Sequence, residues 1–307
     1  MIFIPIPDAS RRDLTINSMF IDMNGILYDY FDGESNLKNK LIRFVGDADK
    51  RIKEDYLRIF RYFRFHTRFG VAGSHEPQVI EIIKNNIDGL DTISGERIWS
   101  EMKRILMNIN CSDSIEMMFN RLKIGKYLGF TKDIDLAEFF KVQKNLNRTK
   151  MMWKVPTLFA SLITDIDELS SIVLRLKLSN IERDTIVYII SNRSSSNNEF
   201  DYDNQQKNLK IQLALSPKPN QKNLKEFIIQ FLIYNGIDDN CIEEFQQWPI
   251  PIFPFNGTMI MDKIRNRKEL GIILEQLRLK WAMNNFSMNE KEFHDEVDVI
   301  INRIKMK

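Results

Sequence analysis

The chain has 307 residues, 28% of them charged, and its 44 basic and 42 acidic side chains leave a formal net charge of +2. So even a balance excludes a uniformly basic nucleic-acid binder, and any such surface must be a local patch. The length suits about two domains on a prior of ~150 residues each.

The two cysteines, Cys111 and Cys241, lie far apart and outside metal-type spacing, so they read as ordinary buried thiols in a reducing compartment. His66, His75 and His294 share no motif, which argues against a histidine zinc site and makes His66 part of its helix. The richest apolar run, "FIIQFLIY" at 227 to 234, is well short of the ~18 residues of a membrane span, so no membrane partner is expected. The opening "MIFIPIPDAS" lacks the basic n-region of a secretory signal and the arginines of a mitochondrial presequence. The expected location is intracellular, with mitochondrion, nucleus and cytoplasm unresolved.

In chain order, Asn24-Gly25 stands between apolar stretches in "MFIDMNGILYDYF", a strong hairpin signal. Gly33 and Gly46 punctuate the next stretch, in which "KLIRFV" reads as a further strand. From Lys53 to Gly70, "KEDYLRIFRYFRFHTRFG" reads as one amphipathic helix. At ~100° per residue, Ile52, Tyr56, Ile59, Phe60 and Phe63 share an apolar face. Arg58, Arg61, Arg64 and Arg68 line the adjacent stripe, with Glu54 a turn before Arg58. Two readings compete: a solvated helix with ordinary ion pairs, or a surface for phosphates and bases.

Helical periods then dominate, in "PQVIEIIKNNI", in "SGERIWSEMKRILM" with Ser94 as N-cap, and in "SDSIEMMFNRLKIGKYLGF". Further helices are expected around 155–162, 167–192, 222–235, 268–285 and 289–306. The polar stretch 191–208 reads as a linker, and "WPIPIFPFNG" as a connector whose aromatics pack down. Trp99, Trp153 and Trp281 read as core residues.

The phrase "DASRRDLTIN" precedes "EDYLR" by some forty residues. Together with "YDYFDGESNLKNKLIRFVGD", "RIKEDYLRIFRYFRF" and "ISGERIWSEMKRIL", in that order and spacing, it resembles the tRNA nucleotidyltransferases, or CCA-adding enzymes, of the class II family shared with bacterial poly(A) polymerases. "QQWPIPIFPFNG" and "KELGIILEQLRLKW" are similar to the eukaryotic, mitochondrial-type members. The resemblance implies a mainly α fold, with a multi-helical neck, body and tail preceded by a β-containing remnant of the nucleotidyltransferase head. The corresponding divisions are 1–48 for the partial head, 49–108 for the neck with its selecting helix, 109–205 for the body and 206–307 for a tRNA-binding tail.

Cytosine and adenine each present an amino donor beside a ring-nitrogen acceptor, whereas guanine and uracil present the reverse. A carboxylate beside a guanidinium therefore accepts C or A and clashes with G or U. Asp55 and Arg58, three apart on a helix, supply that pair, and leaving either unpaired in a closed site makes selection sharp. The resemblance assigns templating to the same two positions and gives Glu54 the role of orienting the arginine. It implies that Arg12 and Asp13 contact the sugar and phosphates of the incoming nucleotide, with Arg11 and Asn17 shaping that motif. Arg61 is a candidate phosphate contact one turn beyond Arg58. Glu96, Arg97 and Glu101 match the motif that buttresses the arginine helix, with simple intrahelical pairing as the alternative. Asp29 and Gly33 match a flexible hinge, with plain turn residues as the alternative.

The family reaction adds CMP twice and AMP once to the 3′ end of tRNA from CTP and ATP, using Mg²⁺ held by two aspartates one residue apart after a Gly-Ser turn. The one-apart aspartates here, Asp47/Asp49, Asp133/Asp135, Asp165/Asp167 and Asp201/Asp203, follow no Gly-Ser turn and read as loops or helix starts. No catalytic or metal-ligand residue is therefore assigned. The head is expected to be N-terminally truncated, through an alternative start, an isoform or an incorrect gene model, and this polypeptide alone is expected to be inactive. Met259 also stands where many relatives carry an acid. The alternatives are a poly(A)- or CC-adding polymerase of the same family, and a non-catalytic RNA-binding helical protein that binds tRNA or forms a homodimer through its β piece. The near-neutral charge points to modest, salt-sensitive tRNA affinity.

Overall fold

The computed structural model describes residues 6–108, 110–193, 200–264 and 267–305. The chain divides into two compact units, Met1–Arg193 and Ser194–Lys307. Both are helical, as the sequence implies, and the described residues contain one two-stranded sheet.

The first unit opens with a short helix α1 (Ile6–Ser10) and a 3₁₀ turn over Thr15–Asn17. The Asn24-Gly25 signal produces the expected hairpin: β1 (Phe20–Ile21) pairs antiparallel with β2 (Leu27–Tyr28), Phe20 opposite Tyr28. Asp22 holds the turn, its Oδ1 accepting from the amides of Asn24 and Ile26, and Gly25 takes the left-handed φ of +81° that the reversal requires. "KLIRFV" does not form the expected strand. It runs extended as a single bridge, Phe44 opposite Leu14, because its neighbour turns away into the Thr15–Asn17 turn after one exchange of hydrogen bonds.

Helix α2 (Gly33–Lys38) packs on that turn, and α3 (Ala48–Glu54) is capped by Asp47, whose carboxylate accepts from the amides of Asp49 and Lys50. The arginine segment is two helices and not one. Asp55 adopts an extended conformation (φ −159°, ψ 105°), ends α3, and accepts from the Leu57 amide through its Oδ1, so that α4 (Arg58–Phe69) starts afresh. An Asx-type bond of this kind offers the backbone an alternative to continuing the helix. The apolar face is otherwise as read: Ile52, Ile59, Phe60 and Phe63 are fully buried.

Helix α5 (Pro77–Asn86) lies on α3, and α6 (Gly95–Leu106) lies on α4. Ser94 is the N-cap residue of α6, but its side chain makes no capping bond. The stretch expected to continue as one helix from Ser112 breaks into α7 (Ser112–Glu116), a π turn over Met117–Arg121 and a 3₁₀ turn over Ile124–Leu128, the last two separated by Lys123 at φ +53°. Helix α8 (Ala137–Leu146), not expected from the sequence, precedes α9 (Val155–Phe159). The expected 167–192 helix is two: α10 (Leu169–Leu176) and α11 (Asn180–Asn192), separated by Lys177 at φ +55° and a Ser179–Glu182 capping box. Trp99 is 3% exposed and stacks edge-on against Phe159, as a core residue should, whereas Trp153 is half-buried.

The second unit contains α12 (Tyr202–Leu215), α13 (Lys218–Tyr234), α14 (Asp239–Gln247), α15 (Arg267–Met283) and α16 (Glu290–Lys305). Helix α12 corrects the linker reading over 202–208 and contains the expected body–tail division at 205; residues 194–199 of that linker lie outside the described residues. Asp201, read as a linker acid, caps α12 through the Asn204 amide. The proline-rich segment packs down as expected, with Phe255 stacked 4.2 Å from Phe293 and Phe253 edge-on to Trp281. They cover a core built on Ile260, Ile273, Leu277, Val297 and Ile300.

Candidate nucleotide-selecting site

The first unit brings the Arg-Arg-Asp turn against the arginine helix. Arg58 donates through Nη1 to Glu54 (2.7 Å) and to the Arg51 carbonyl (2.8 Å), and through Nη2 to the Arg11 carbonyl (3.4 Å). Its side chain is 14% exposed, so the guanidinium is held and largely shielded. Glu54 in turn accepts from Arg51 Nη1 at 2.8 Å, and the two arginines, Arg58 foremost, hold its carboxyl below the usual range. Of the five N–H groups of Arg58, three are engaged by these bonds, which leaves two for a ligand.

Asp55 sits in the break between α3 and α4, and its Oδ2 accepts from Arg97 Nη2 of α6 at 2.8 Å. The carboxylate and guanidinium expected to act together are thus joined by backbone, the Arg58 amide donating to the Asp55 carbonyl at 2.9 Å, but each side chain has its own anchor. A fixed acceptor and a fixed donor, each with unused hydrogen-bonding capacity, is what reading a donor–acceptor base edge requires.

Asp13 is buried and ion-paired with Arg61 Nε, while Asn17 donates to its other oxygen at 3.2 Å. Burial alone would raise the Asp13 carboxyl, but Arg61, Asn17 and the Leu14 amide outweigh it and hold it below the carboxylate range. Arg61 is thus tied to Asp13 through Nε, and the described contacts do not engage its two Nη groups. Arg11 and Arg12 both bind Asp8, Arg12 at 3.0 Å with its guanidinium 5.4 Å from the centre of the Phe20 ring. The buried Arg12 Nε has no hydrogen-bond partner among the described residues.

Glu101 is 4% exposed and takes Arg64 at 2.8 Å and Arg104 at 3.0 Å, so it ties α6 to α4. Glu96 is exposed in the first turn of α6 and takes no part in this network among the described residues. Asp29 accepts from the amides of Gly33 (2.9 Å) and Glu34 (2.8 Å) and so starts α2. Gly33 is buried there, and a Cβ would collide with the Thr15 carbonyl oxygen and lie 2.7 Å from Met19 Cγ.

Arg51 belongs to this network but is not singled out by the sequence, although its positions i+3 and i+7 are Glu54 and Arg58. It orients Glu54 and lends Arg58 its carbonyl. The sequence also hides a second cluster, since His66 and His75 share no motif yet stack at 3.7 Å beside Asp113.

Two family profiles match the chain: the poly A polymerase head domain over residues 5–43, and the probable RNA and SrmB-binding site of polymerase A over 75–122. The mitochondrial CCA tRNA nucleotidyltransferase 1 of Homo sapiens is 40% identical over 288 residues, which is 93% of this chain and 64% of that protein. The CCA-adding enzyme of Staphylococcus haemolyticus is 28% identical, over 97% of this chain and 69% of that protein. The solved CCA-adding enzyme of Bacillus stearothermophilus in complex with CTP superposes with a TM-score of 0.69 at 21% identity, covering 98% of this chain and 75% of that one. The Thermotoga maritima CCA-adding enzyme complexed with tRNA gives 0.59 at 21% identity, over 96% of this chain and 73% of that one. Fold and matched segments define a protein of the nucleotidyltransferase class that includes the poly(A) polymerases. The chain spans 64% of the length of the human and mouse relatives. It belongs to the CCA-adding enzyme family.

Proposed function

We propose that this chain serves tRNA 3′-terminal CCA addition, choosing CTP and ATP with Asp55 and Arg58 and holding tRNA with its helical body and tail. The observation that carries the reading is the separate anchoring of the pair: Asp55 on Arg97, and Arg58 on Glu54 and the Arg51 carbonyl. A side chain fixed in advance loses little further ordering entropy when the base arrives, and a mismatched base leaves a shielded donor or acceptor unpaired. The divisions 1–48, 49–108, 109–205 and 206–307, and the supporting roles of Glu54, Arg97 and Glu101, belong to this proposal. So does a mitochondrial location, which the names of the human, mouse and zebrafish relatives carry.

The family implies magnesium, and the residues present do not fit it. Of the nearby carboxylates, Asp8 is engaged by Arg11 and Arg12, Asp13 by Arg61, Asp22 by the hairpin amides and Asp29 by the α2 amides. Among the described residues the one group of three with metal-ligand spacing contains two imidazoles, a poor set for a hard cation. The 307-residue polypeptide is expected to add no nucleotide to tRNA by itself.

Equilibrium titration of the purified chain with each of the four ribonucleoside triphosphates tests the proposal. CTP and ATP should bind at least about tenfold more tightly than UTP and GTP, the size of one unsatisfied buried group. Equal affinity for all four overturns it. A poly(A)-type member would favour ATP over CTP in the same titration.

A further inference from the structure

His66 lies in the last turn of α4, His75 in the turn before α5, and Asp113 in α7, which packs on α4. One ligand atom from each lies within 4.8 Å of the others. The His75 Nε2 is 3.0 Å from Asp113 Oδ2 and the His66 Nδ1 is 4.0 Å from it. The side chains of both histidines are nearly sealed, at 4% and 2% exposure; His75 Nε2 meets only Asp113 Oδ2, and His66 Nε2 has no hydrogen-bond partner among the described residues. Three side chains from separate stretches of chain thus converge, with one imidazole nitrogen of His66 left without a partner among the described residues.

We propose that His66, His75 and Asp113 form a binding site for one divalent transition-metal ion of the zinc type. Two imidazoles and a carboxylate are a donor set for zinc, cobalt or nickel and not for magnesium. Tyr62 supplies the outer contact: its hydroxyl lies 3.1 Å from His75 Nδ1, and Nδ1–H donating to the phenol oxygen leaves the Nε2 lone pair for the metal. Asp113, 26% exposed, is the entry side, where water completes the coordination. Metal–nitrogen bonds of about 2.0–2.1 Å set ligand atoms roughly 3.3 Å apart, so the site closes by bringing His66, 4.0 Å from Asp113, inward and unstacking the two rings. The bound ion would then fasten the end of the arginine helix to α7 and to the segment leading into α5.

The test titrates Co²⁺ and Zn²⁺ into the full chain carrying Cys241→Ser, which removes the half-exposed thiol as a competing ligand. One equivalent should bind, with the visible d–d absorption of nitrogen- and oxygen-ligated Co²⁺, and Zn²⁺ should raise the thermal midpoint. His75→Gln and Asp113→Asn should each weaken binding at least about tenfold and abolish the thermal shift, whereas His294→Gln should change neither. Absence of binding by the folded chain, or equal binding in both variants, overturns the proposal and leaves the cluster a packed imidazole pair. Asp113, 26% exposed, lies at the cluster's outer edge, so its variant keeps the test valid should a histidine variant fail to fold.

Discussion

At the scale of single residues, the Asp13–Arg61 pair joins the Arg-Arg-Asp turn to the arginine helix, and its energetics derive from burial. Asp13 is 6% exposed, so removing its charge strands a guanidinium that is itself only a third exposed. Asp13→Asn should cost about 2 kcal/mol in urea unfolding, less than the ~3–5 of a fully buried pair because solvent screens Arg61. The pH dependence has a definite sign. The Asp13 carboxyl is depressed in the folded chain, so the unfolded chain binds its proton more readily and stability rises with pH. The pair's contribution is complete above the ordinary carboxylate value of about 4 and is lost as pH falls through the depressed folded value. In acid titrations followed by circular dichroism, wild type should lose stability more steeply than Asp13→Asn in that window. Glu101→Gln should be costlier in the same unfolding assay, about 3 kcal/mol, because Glu101 compensates both Arg64 and Arg104.

At the scale of elements, the site depends on a helix that stops. Continuing α3 through residues 55 to 57 would wind Asp55 away from its present bonds, to the Leu57 amide and to Arg97. The start of α2 is set in a similar way by Asp29, and Gly33 lets it approach the Thr15 carbonyl. Gly33→Ala should lower the thermal midpoint by several degrees, a strain of about 1–3 kcal/mol, and an unchanged midpoint would show that α2 can withdraw freely. Local chemistry is legible where one signal dominates: Asn-Gly marks the hairpin, and the arginine stripe marks the polar side of α4. It is not legible where tertiary bonds override period, as in the break at Asp55. The start of α12 does not stand out because its surface is polar enough to read as loop, whereas α8 does carry a helical apolar pattern in Phe139, Val142 and Leu146. Arg51 does not stand out either, because its role lies partly in a backbone carbonyl, which no side-chain pattern displays.

At the scale of the whole molecule, the two units carry different parts of the proposed activity: the first holds the selecting pair, the second a helical tail with its own core. The family is legible from four ordered motifs, whereas the histidine cluster, whose members are nine and thirty-eight residues apart, requires the fold. Whether Asp55 and Arg58 read the base is decided by the ratio of CTP to UTP affinity in wild type, Asp55→Ala and Arg58→Ala. The ratio should be at least about ten in wild type and fall toward one in both variants, with triphosphate binding itself retained. A ratio unchanged by either substitution, in folded protein, would contradict the assignment of base reading to this pair.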